Sequence, residues 1–421
     1  MSRDSWAGRS GRRIQGRAVP VAVGLAALLA AGTPASGQAP GDVPVLSESA
    51  TASLLSILPG DDLYSLFGHS ALRITDPELG IDEAYNFGTF DFGDSPTAMA
   101  DFIARFTYGD LNYRLTVQDP ERMVAWYWRE QGRATVEQTL DLTPEVRQEM
   151  FRLLRINARP ENRYYQYDFF FDNCATRLLD VLETAAGAAL SFDGAVEPDE
   201  SFRGLLDRYL TGSPWTDFGM DLGLGLPADR IASAREAAFL PEYLMEYFAA
   251  GRLEVGEGST PLVGETRWVT GGQEAEWTPE PTPRWPRLLL YALLAAGASL
   301  TVFDLRAGRA WRPVIDGAFF GALGVAGLAI AFLWFVSLHG VTKTNLNFFW
   351  AWPTHLALIG LGRRRSRRVG FYLAATAAAA AILLAGFPAW PQALPAAVAP
   401  LLGLVAIRAG GLAWLRLRRP A

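Results

Sequence analysis

The stretch YYQYDFFFDNCATRLLD, Tyr164–Asp180, contains Cys174, the only cysteine of the chain. Its spacing of apolar residues predicts a short aromatic strand over Tyr167–Phe171, followed by a helix that begins near Cys174. Asp172 or Asn173 is expected to cap that helix, because either side chain accepts hydrogen bonds from the first free N–H groups, and Cys174 then lies in the first turn. The thiol is expected to have a lowered pKa, since the helix dipole favours an anion in the first turn.

A second stretch, LYSLFGHSALRI at Leu63–Ile74, contains His69, the only histidine in the N-terminal part of the chain. Its alternating residues predict a strand with His69 on one face. A cysteine and a histidine in one domain are candidates for a nucleophile and its base, in which the imidazole takes the thiol proton. The alternatives are an inert buried cysteine and a hydrogen-bonded structural histidine.

Length and composition indicate more than one structural unit. The 421 residues exceed what one core usually holds, and a hydrophobic content of 50% is high for a purely soluble chain. A net charge of −6 argues against a nucleic-acid partner. The sequence has no Walker loop, dinucleotide fingerprint or His-Glu-x-x-His spacing, so no cofactor and no metal site are predicted.

Changes in composition divide the chain into five parts. These are a targeting segment (1–37), an exported α+β domain (45–275), a linker (276–287), a membrane domain (288–412) and a tail (413–421). The first part has an arginine-rich start, an apolar stretch and small residues before a cleavage point, which is typical of a signal peptide. An uncleaved signal anchor is the alternative, and it leaves the next domain outside as well.

Local patterns predict the elements of the exported domain. Strands are predicted at Ser65–Thr75, Glu83–Phe90, Tyr113–Val117 and Ala134–Leu140, and helices at Ser95–Phe106, Met123–Glu130, from Thr143 onward, Phe202–Leu210 and Ala228–Ala249, with a Gly-rich loop at Gly219–Gly225. Pro241 is expected to break the last helix, because proline lacks the N–H that a helix interior needs.

Five apolar segments in the C-terminal third predict membrane spans. They are Leu288–Phe303, Val314–Leu338, Phe348–Leu361, Val369–Phe387 and Pro395–Leu412. Arginines concentrate in the loops after the first and third segments and at the C-terminal end, so the positive-inside rule places these parts in the cytoplasm and the N-terminal domain outside. Arg408, within the last segment, is expected to extend toward the nearer interface.

This orientation places LHGVTKTNLNFFWAWPTH, Leu338–His355, at the outer face of the membrane. Polar groups at the edge of a span are costly unless they are hydrated or paired. His339, Lys343 and Asn345 are therefore candidates for binding a lipid headgroup. A solvated loop with interfacial tryptophans is an equally good interpretation.

Three blocks of sequence together resemble the Lnb-type lipoprotein N-acyltransferases of the bacterial DUF4105 family. They are FGHSALRI around His69, YNFGTFDF at Tyr85–Phe92, and YDFFFDNCATRLLD around Cys174. The resemblance implies a papain-like fold of the permuted NlpC/P60 type, in which the histidine strand precedes the cysteine helix. It implies Cys174 as nucleophile, His69 as base, and Asn86 or Tyr85 as the third polar residue.

The same resemblance implies an acyltransferase of the bacterial inner membrane with its catalytic domain in the periplasm. The acyl chain would pass through a thioester on Cys174 to an amine, the N-terminus of a lipoprotein, with membrane lipid and lipoprotein as partners. Tyr64, Ser70 and Asn173 are expected to contact the substrate. One alternative is a cysteine peptidase or amidase acting on cell-wall peptide, and another is a non-catalytic assembly factor.

Overall fold

The structure is a computed structural model that describes residues 43–62, 64–90, 95–256, 258–272, 284–364 and 366–418. The predicted targeting segment, 1–37, lies outside the described residues. Most of the predicted linker lies outside them too, and the helix that follows already begins at Trp285.

The N-terminal domain is mixed α/β and contains two antiparallel sheets. Its strands are β1 (Thr51–Ile57), β2 (His69–Asp76), β3 (Ile81–Thr89), β4 (Asn112–Gln118), β5 (Thr135–Leu140), β6 (Tyr164–Gln166), β7 (Leu190–Ser191), β8 (Arg252–Val255), β9 (Gly258–Pro261) and β10 (Val263–Thr270). The larger sheet has seven strands in the order β10-β5-β1-β2-β3-β4-β6, and the smaller has the order β7-β8-β9. β1 and β2 lie near the middle of the large sheet, so the strand that begins with His69 is held on both sides.

Helices cover both faces of the large sheet. They are α1 (Pro96–Tyr108), α2 (Pro120–Gln131), α3 (Pro144–Asn157), α4 (Cys174–Ala186), α5 (Phe202–Asp207), α6 (Pro214–Gly223), α7 (Ala234–Ala237) and α8 (Pro241–Ala250). α3, α4 and α8 share one core with the sheet, and α2 covers the opposite face. Alternation along β2 turns Leu72 toward α4 and Ala71 toward α2. This packing brings the first residue of α4 to the start of β2.

Two predicted strands differ from the structure. The strand with the histidine begins at His69, because Gly68 adopts a φ of +77° and forms a tight turn before it. The aromatic strand is Tyr164–Gln166 instead of Tyr167–Phe171. The residues after it form a turn closed by an isolated bridge between Asp168 and Asp172. That turn brings the chain directly to the start of α4.

Four helices in the C-terminal region are long and apolar enough to cross a membrane. They are α9 (Trp285–Ala307), α10 (Pro313–Phe335), α12 (Arg367–Ala385) and α13 (Val398–Leu417). The third predicted span is not a continuous helix. It consists of two 3-10 turns, Leu346–Phe349 and Pro353–Ala357, and the four-residue α11 (Leu358–Leu361).

The interrupted segment packs closely along α10. A Cβ on Gly327 would lie 1.7 Å from the carbonyl oxygen of Ala351, and a Cβ on Gly324 would lie 2.8 Å from the backbone nitrogen of Leu356. Pro353 contributes no N–H and so favours a break at this point. Glycines on α10 let irregular backbone approach it, which is how such backbone is accommodated at membrane depth.

Arg408 does not extend to the interface as predicted. Its guanidinium is buried and donates to Asp316 Oδ1 at 2.7 Å, and it also pairs with Asp304 at 2.9 Å. These contacts connect α9, α10 and α13. A charge within a membrane protein is tolerated when it is paired inside the bundle, and two carboxylates satisfy that condition here.

Backbone hydrogen bonds join the N-terminal domain to the outer side of the helical base. Gly225 N donates to Val341 O at 2.8 Å, and Leu226 N donates to Thr344 O at 3.1 Å. A second contact lies at the end of α1, where Leu338 N donates to Tyr108 O at 2.7 Å. We call these two contacts the joint. They fix the domain on the base.

Candidate active site

α4 begins at Cys174, as the sequence predicted, and Asn173 is its N-cap. Asn173 Oδ1 accepts from Ala175 N at 2.8 Å and from Thr176 N at 3.0 Å, which caps the helix. Its Nδ2 donates to Phe169 O and Phe239 O, both at 2.8 Å. The Asn173 amide is thus fully used in holding the helix start, so a substrate contact by this residue is not supported. The cap leaves the N–H of Cys174 itself unused.

His69 is oriented by Asn86 on the neighbouring strand. Asn86 Oδ1 accepts from Gly88 N at 2.8 Å, which fixes the amide, and it lies 2.9 Å from His69 Nε2. Because this oxygen only accepts, Nε2 carries the proton and Nδ1 keeps a lone pair. Of the two candidates for a third polar residue, Asn86 contacts His69, whereas the Tyr85 hydroxyl donates to Glu83.

Gly88 lies against the Cε1 edge of the imidazole and was not identified from the sequence. A Cβ at this position would lie 2.4 Å from His69 Cε1. On the other side, the Tyr127 ring of α2 lies 5.8 Å from the imidazole, centroid to centroid. A glycine and an aromatic ring therefore hold the plane of His69 between β3 and α2.

The Cys174 thiol does not have the lowered pKa that the sequence predicted. Three backbone N–H groups, of Ser70, Cys174 and Ala175, favour the thiolate, as does the charge of Arg133. Burial outweighs them and raises the pKa of Cys174 to about 11. Burial likewise lowers the pKa of His69 to about 4. At neutral pH the pair is a thiol and a neutral imidazole rather than an ion pair.

Arg133 and Tyr127 connect the thiol with the histidine. The Arg133 charge acts on both Cys174 and His69, and Tyr127 interacts with Cys174 and hydrogen-bonds to Asn86. Cys174, His69 and Asn86 therefore share Arg133 and Tyr127 as neighbours, and a direct hydrogen bond between Cys174 and His69 stays a prediction.

Arg133 itself is almost fully buried. Its Nε donates to Leu58 O at 2.7 Å and its Nη1 donates to Gln131 Oε1 at 3.0 Å. Within the described part of the chain, Nη2 has no hydrogen-bond partner. Arginine is common in the chain, so nothing in the sequence distinguished this one.

Of the remaining predicted contacts in the N-terminal domain, Ser70 and Tyr64 lie near the site. The backbone N–H of Ser70 faces the Cys174 sulfur, and its buried Oγ has no hydrogen-bond partner among the residues described. Tyr64 is exposed, accepts from Gln131 Nε2 at 3.4 Å and interacts with Tyr127. It therefore lies at the rim of the site.

The three predicted headgroup ligands of the outer loop are engaged within the protein. His339 Nε2 donates to Phe106 O at 2.7 Å, and Asn345 Nδ2 donates to Leu222 O at 2.8 Å. Lys343 Nζ donates to carbonyl oxygens at the end of α10, those of Leu333 and Ser337. His339 and Asn345 lie beside the joint and add side-chain hydrogen bonds to it, and Lys343 binds the end of α10 beneath it. The structure does not place these three residues at the thiol.

A group of carboxylates lies apart from this site, on α5 and α6. Oxygen atoms of Asp207, Asp217 and Asp221 lie within 4.8 Å of one another, close enough to hold a cation. Arg203 already donates to Asp221 Oδ1 at 2.7 Å. Burial is the main cause that raises the pKa of Asp207 to about 7 and that of Asp217 to about 6. Carboxyl groups that hold protons near neutral pH are poor cation ligands.

Comparison with known families gives two matches along the chain. Residues 45–208 match the Lnb N-terminal periplasmic domain, and residues 279–420 match the Lnb transmembrane domain. No curated protein and no solved structure matches. Cys174, His69 and Asn86 all lie within the first match. The chain therefore belongs to the Lnb-type family, with a periplasmic domain joined to a membrane-spanning region.

Proposed function

We propose that the protein is a thiol-dependent acyltransferase at the outer face of the inner membrane. The observation that carries the proposal is the arrangement of Cys174, His69 and Asn86 in a domain that is hydrogen-bonded to a membrane base. The order of the histidine strand before the cysteine helix supports a permuted papain-like fold. The path of residues 346–361 along α10 supports a fifth membrane crossing and agrees with arginine-rich loops on the cytoplasmic side.

In the first step, the Cys174 sulfur attacks the carbonyl carbon of a glycerolipid ester. His69 Nδ1 takes the thiol proton as the carbon–sulfur bond forms, because the resting thiol is protonated. The tetrahedral intermediate then releases the glycerol oxygen, which receives that proton from His69. The products are an acyl-thioester on Cys174 and a lipid alcohol.

In the second step, an amine attacks the thioester carbonyl. His69 removes a proton from the attacking nitrogen and returns it to the departing Cys174 sulfur, so the imidazole ends neutral. The product is an amide, and the acceptor we propose is the α-amine of a lipoprotein N-terminus. The neutral imidazole suits both steps, because each begins with a proton that must be accepted.

The oxyanion of each intermediate needs preorganised donors. The N–H of Cys174 is left free by the cap, and Ser70 N–H faces the sulfur. Arg133 adds a buried positive charge whose Nη2 has no partner among the described residues. A buried cation without a hydrogen-bonded anion is costly, which supports a role with the negative charge that develops during reaction.

The test is mass spectrometry of lipoprotein N-terminal peptides from cells that rely on this protein. Wild-type protein should give N-acylated peptides, and Cys174→Ala should abolish them. His69→Ala should reduce acylation about 10²- to 10⁴-fold, the usual contribution of a general base. N-acylation that persists in Cys174→Ala at equal protein abundance would refute the proposal. Cleaved cell-wall peptides without N-acylation would indicate a peptidase instead.

A further inference from the structure

Helix α1 exposes large apolar side chains on a protein that is fixed to a membrane. Ile103 is 56% exposed, Phe106 is 43% exposed and Tyr108 is 39% exposed. Asp101 and Arg105 of the same helix form an exposed ion pair, with Nε and Oδ2 2.8 Å apart. Ile103 and Phe106 lie on one side of the helix, and Tyr108 lies on the side of the ion pair, seven residues after Asp101. A short helix with an apolar side and a side of paired charges and tyrosine suits a membrane surface.

The position of α1 is set by α10. Leu338 N donates to Tyr108 O at 2.7 Å, and the rings of Tyr108 and Phe332 lie 6.5 Å apart, centroid to centroid. Phe332 lies three residues before the end of α10, which is about 4.5 Å inward along that helix. The C-terminal end of α1 therefore reaches the depth at which α10 leaves the bilayer. Its exposed apolar side chains continue the lipid-facing surface of the base.

A row of aromatic rings leads from α1 toward the active site. The centroid distances are 6.3 Å for Phe106–Phe102, 5.4 Å for Phe102–Phe90, 4.8 Å for Phe90–Tyr113 and 4.0 Å for Tyr113–Tyr167. Tyr113 and Tyr167 pack on the same core as Cys174. The row is continuous between the membrane side of the domain and the surroundings of the thiol.

An open cleft of about 370 Å³ runs beside this row, between α1 and the ends of β3 and β4. Phe90, Phe102 and Leu111 contribute apolar surface to it, and Arg105 and Arg114 contribute charged groups. Phe90 belongs to both the cleft and the row. A cleft with aromatic walls and charged groups suits a chain that is apolar along its length and polar at one end.

We propose that α1 lies in the outer leaflet and that the aromatic row with its cleft is the path by which a fatty-acyl chain reaches Cys174. The ligand is the acyl chain of a bilayer lipid ester, and the part of the inference that concerns the path rests on the proposed acyl transfer. Entry from the side keeps the chain out of water, because its methylene groups pass from the bilayer into the cleft without being exposed.

The position of α1 is tested without any chemistry at the thiol. In full-length Cys174→Ala protein, a cysteine placed by Ile103→Cys is labelled with an environment-sensitive fluorophore in proteoliposomes. A matched control uses Leu79→Cys, since Leu79 is 47% exposed on the turn after β2, at the other end of that strand from His69. Spin-labelled phospholipid should quench the label at 103 and leave the label at 79 unquenched. Equal emission and quenching at both positions would show that α1 is outside the bilayer.

The path is tested by its dependence on chain length. Phe102→Trp adds bulk to the row, and Leu79→Trp is the control. Acylation of Cys174 by phosphatidylethanolamine vesicles should fall at least about tenfold in Phe102→Trp, whereas acylation by p-nitrophenyl butyrate should stay within about twofold of wild type.

The outcomes of this test separate the two proposals. Suppose that both esters acylate wild-type Cys174. If Phe102→Trp then keeps both acylation rates, or if both rates fall equally, the path is wrong while the acyltransferase stands. If wild-type Cys174 is acylated by neither ester, the proposed function fails and the path fails with it. The fluorescence result then still decides whether α1 lies in the leaflet.

Discussion

The active site and the joint are both built from polar residues in apolar surroundings, but their hydrogen bonding differs. In the joint, His339 and Asn345 donate to carbonyl oxygens of the N-terminal domain, and Lys343 holds the end of α10 beneath it. At the active site, Ser70 Oγ and Arg133 Nη2 have no partner among the described residues. Buried polar groups in proteins are normally hydrogen-bonded, so an unpaired group is available to bind a ligand or a transition state.

We propose that the difference distinguishes a site that holds two domains together from one that acts on a substrate. A paired polar group contributes to stability, and removing its partner is costly. An unpaired group lowers stability and is retained when a ligand or a transition state uses it. The predictions below test whether the active site and the joint differ in this way.

The largest expected effect concerns the protonation of the thiol. With the pKa of Cys174 at about 11, the rate of alkylation by iodoacetamide should rise about tenfold per pH unit between pH 6 and 9. A thiol placed by Leu79→Cys in Cys174→Ala protein should level off near pH 9, as exposed thiols do. A rate for Cys174 that is already constant at pH 7 would show a stabilised thiolate and refute the neutral pair.

The protonation of His69 sets the lowest pH at which the enzyme should be active. His69 must be unprotonated to accept the thiol proton, and its pKa is lowered to about 4. The value of kcat/KM should therefore stay level down to about pH 5 and fall as the pH drops through about 4. A fall centred near pH 6.5 would mean that His69 is hydrated in the functional state.

The next effect concerns Arg133, whose Nη2 has no hydrogen-bond partner among the described residues. Arg133→Gln should lower kcat about 10²- to 10³-fold, the loss usual for one oxyanion donor. Arg133→Lys should recover part of it, because the charge remains. Arg129→Gln is the control, since Arg129 is exposed in the last turn of α2, just before Arg133. If Arg133→Gln alters only thermal stability while kcat is unchanged, Arg133 is a structural residue like those of the joint.

A smaller effect is expected for Asn86, which positions His69. Asn86→Ala removes the hydrogen bond to His69 together with those to Gly88 N and Gln118, and it should lower kcat about tenfold, which corresponds to about 1.4 kcal/mol. Asn86→Asp places a carboxylate at Nε2, so it should raise the pKa of His69 and move the acid limit of kcat/KM to higher pH. A purely structural residue would give no such movement, and an unshifted profile in Asn86→Asp would exclude the positioning role.

The smallest effect is expected at the joint. A Cβ on Gly225 would lie 1.9 Å from the carbonyl oxygen of Lys343, so Gly225→Ala should separate the domain from the base locally. Transfer from membrane substrate should fall about three- to tenfold, while acylation of Cys174 by p-nitrophenyl butyrate is unchanged. Gly219→Ala is the control, because its Cβ meets nothing within 4 Å. Equal loss on both substrates would mean that the joint shapes the active site itself.

Sequence patterns predicted the periodic elements well. The strands β3, β4 and β5 and the helix α3 lie within a few residues of their predicted positions, because their apolar residues alternate or recur at helical spacing. β10 was not predicted, since most of its side chains are exposed and its place in the sheet comes from pairing with β5, far away in sequence. The second half of α6 was predicted as part of the Gly-rich loop Gly219–Gly225. It is helical in the structure, where Phe218 and Leu222 pack against the core of the membrane base, and this packing outweighs the low helix propensity of glycine.

The sequence by itself predicted which residues could perform the chemistry and how the chain is oriented. One cysteine, one histidine in the N-terminal domain and a one-sided distribution of arginines are properties of the residue list and need no coordinates. The tertiary structure decided which polar groups are paired and how the pair is protonated. Burial raises the pKa of Cys174 even though the helix start favours its anion, and Tyr127, Arg133 and Gly88 complete the surroundings of the pair. These residues reach the site only through the packing of the sheet against its helices, which no local pattern encodes.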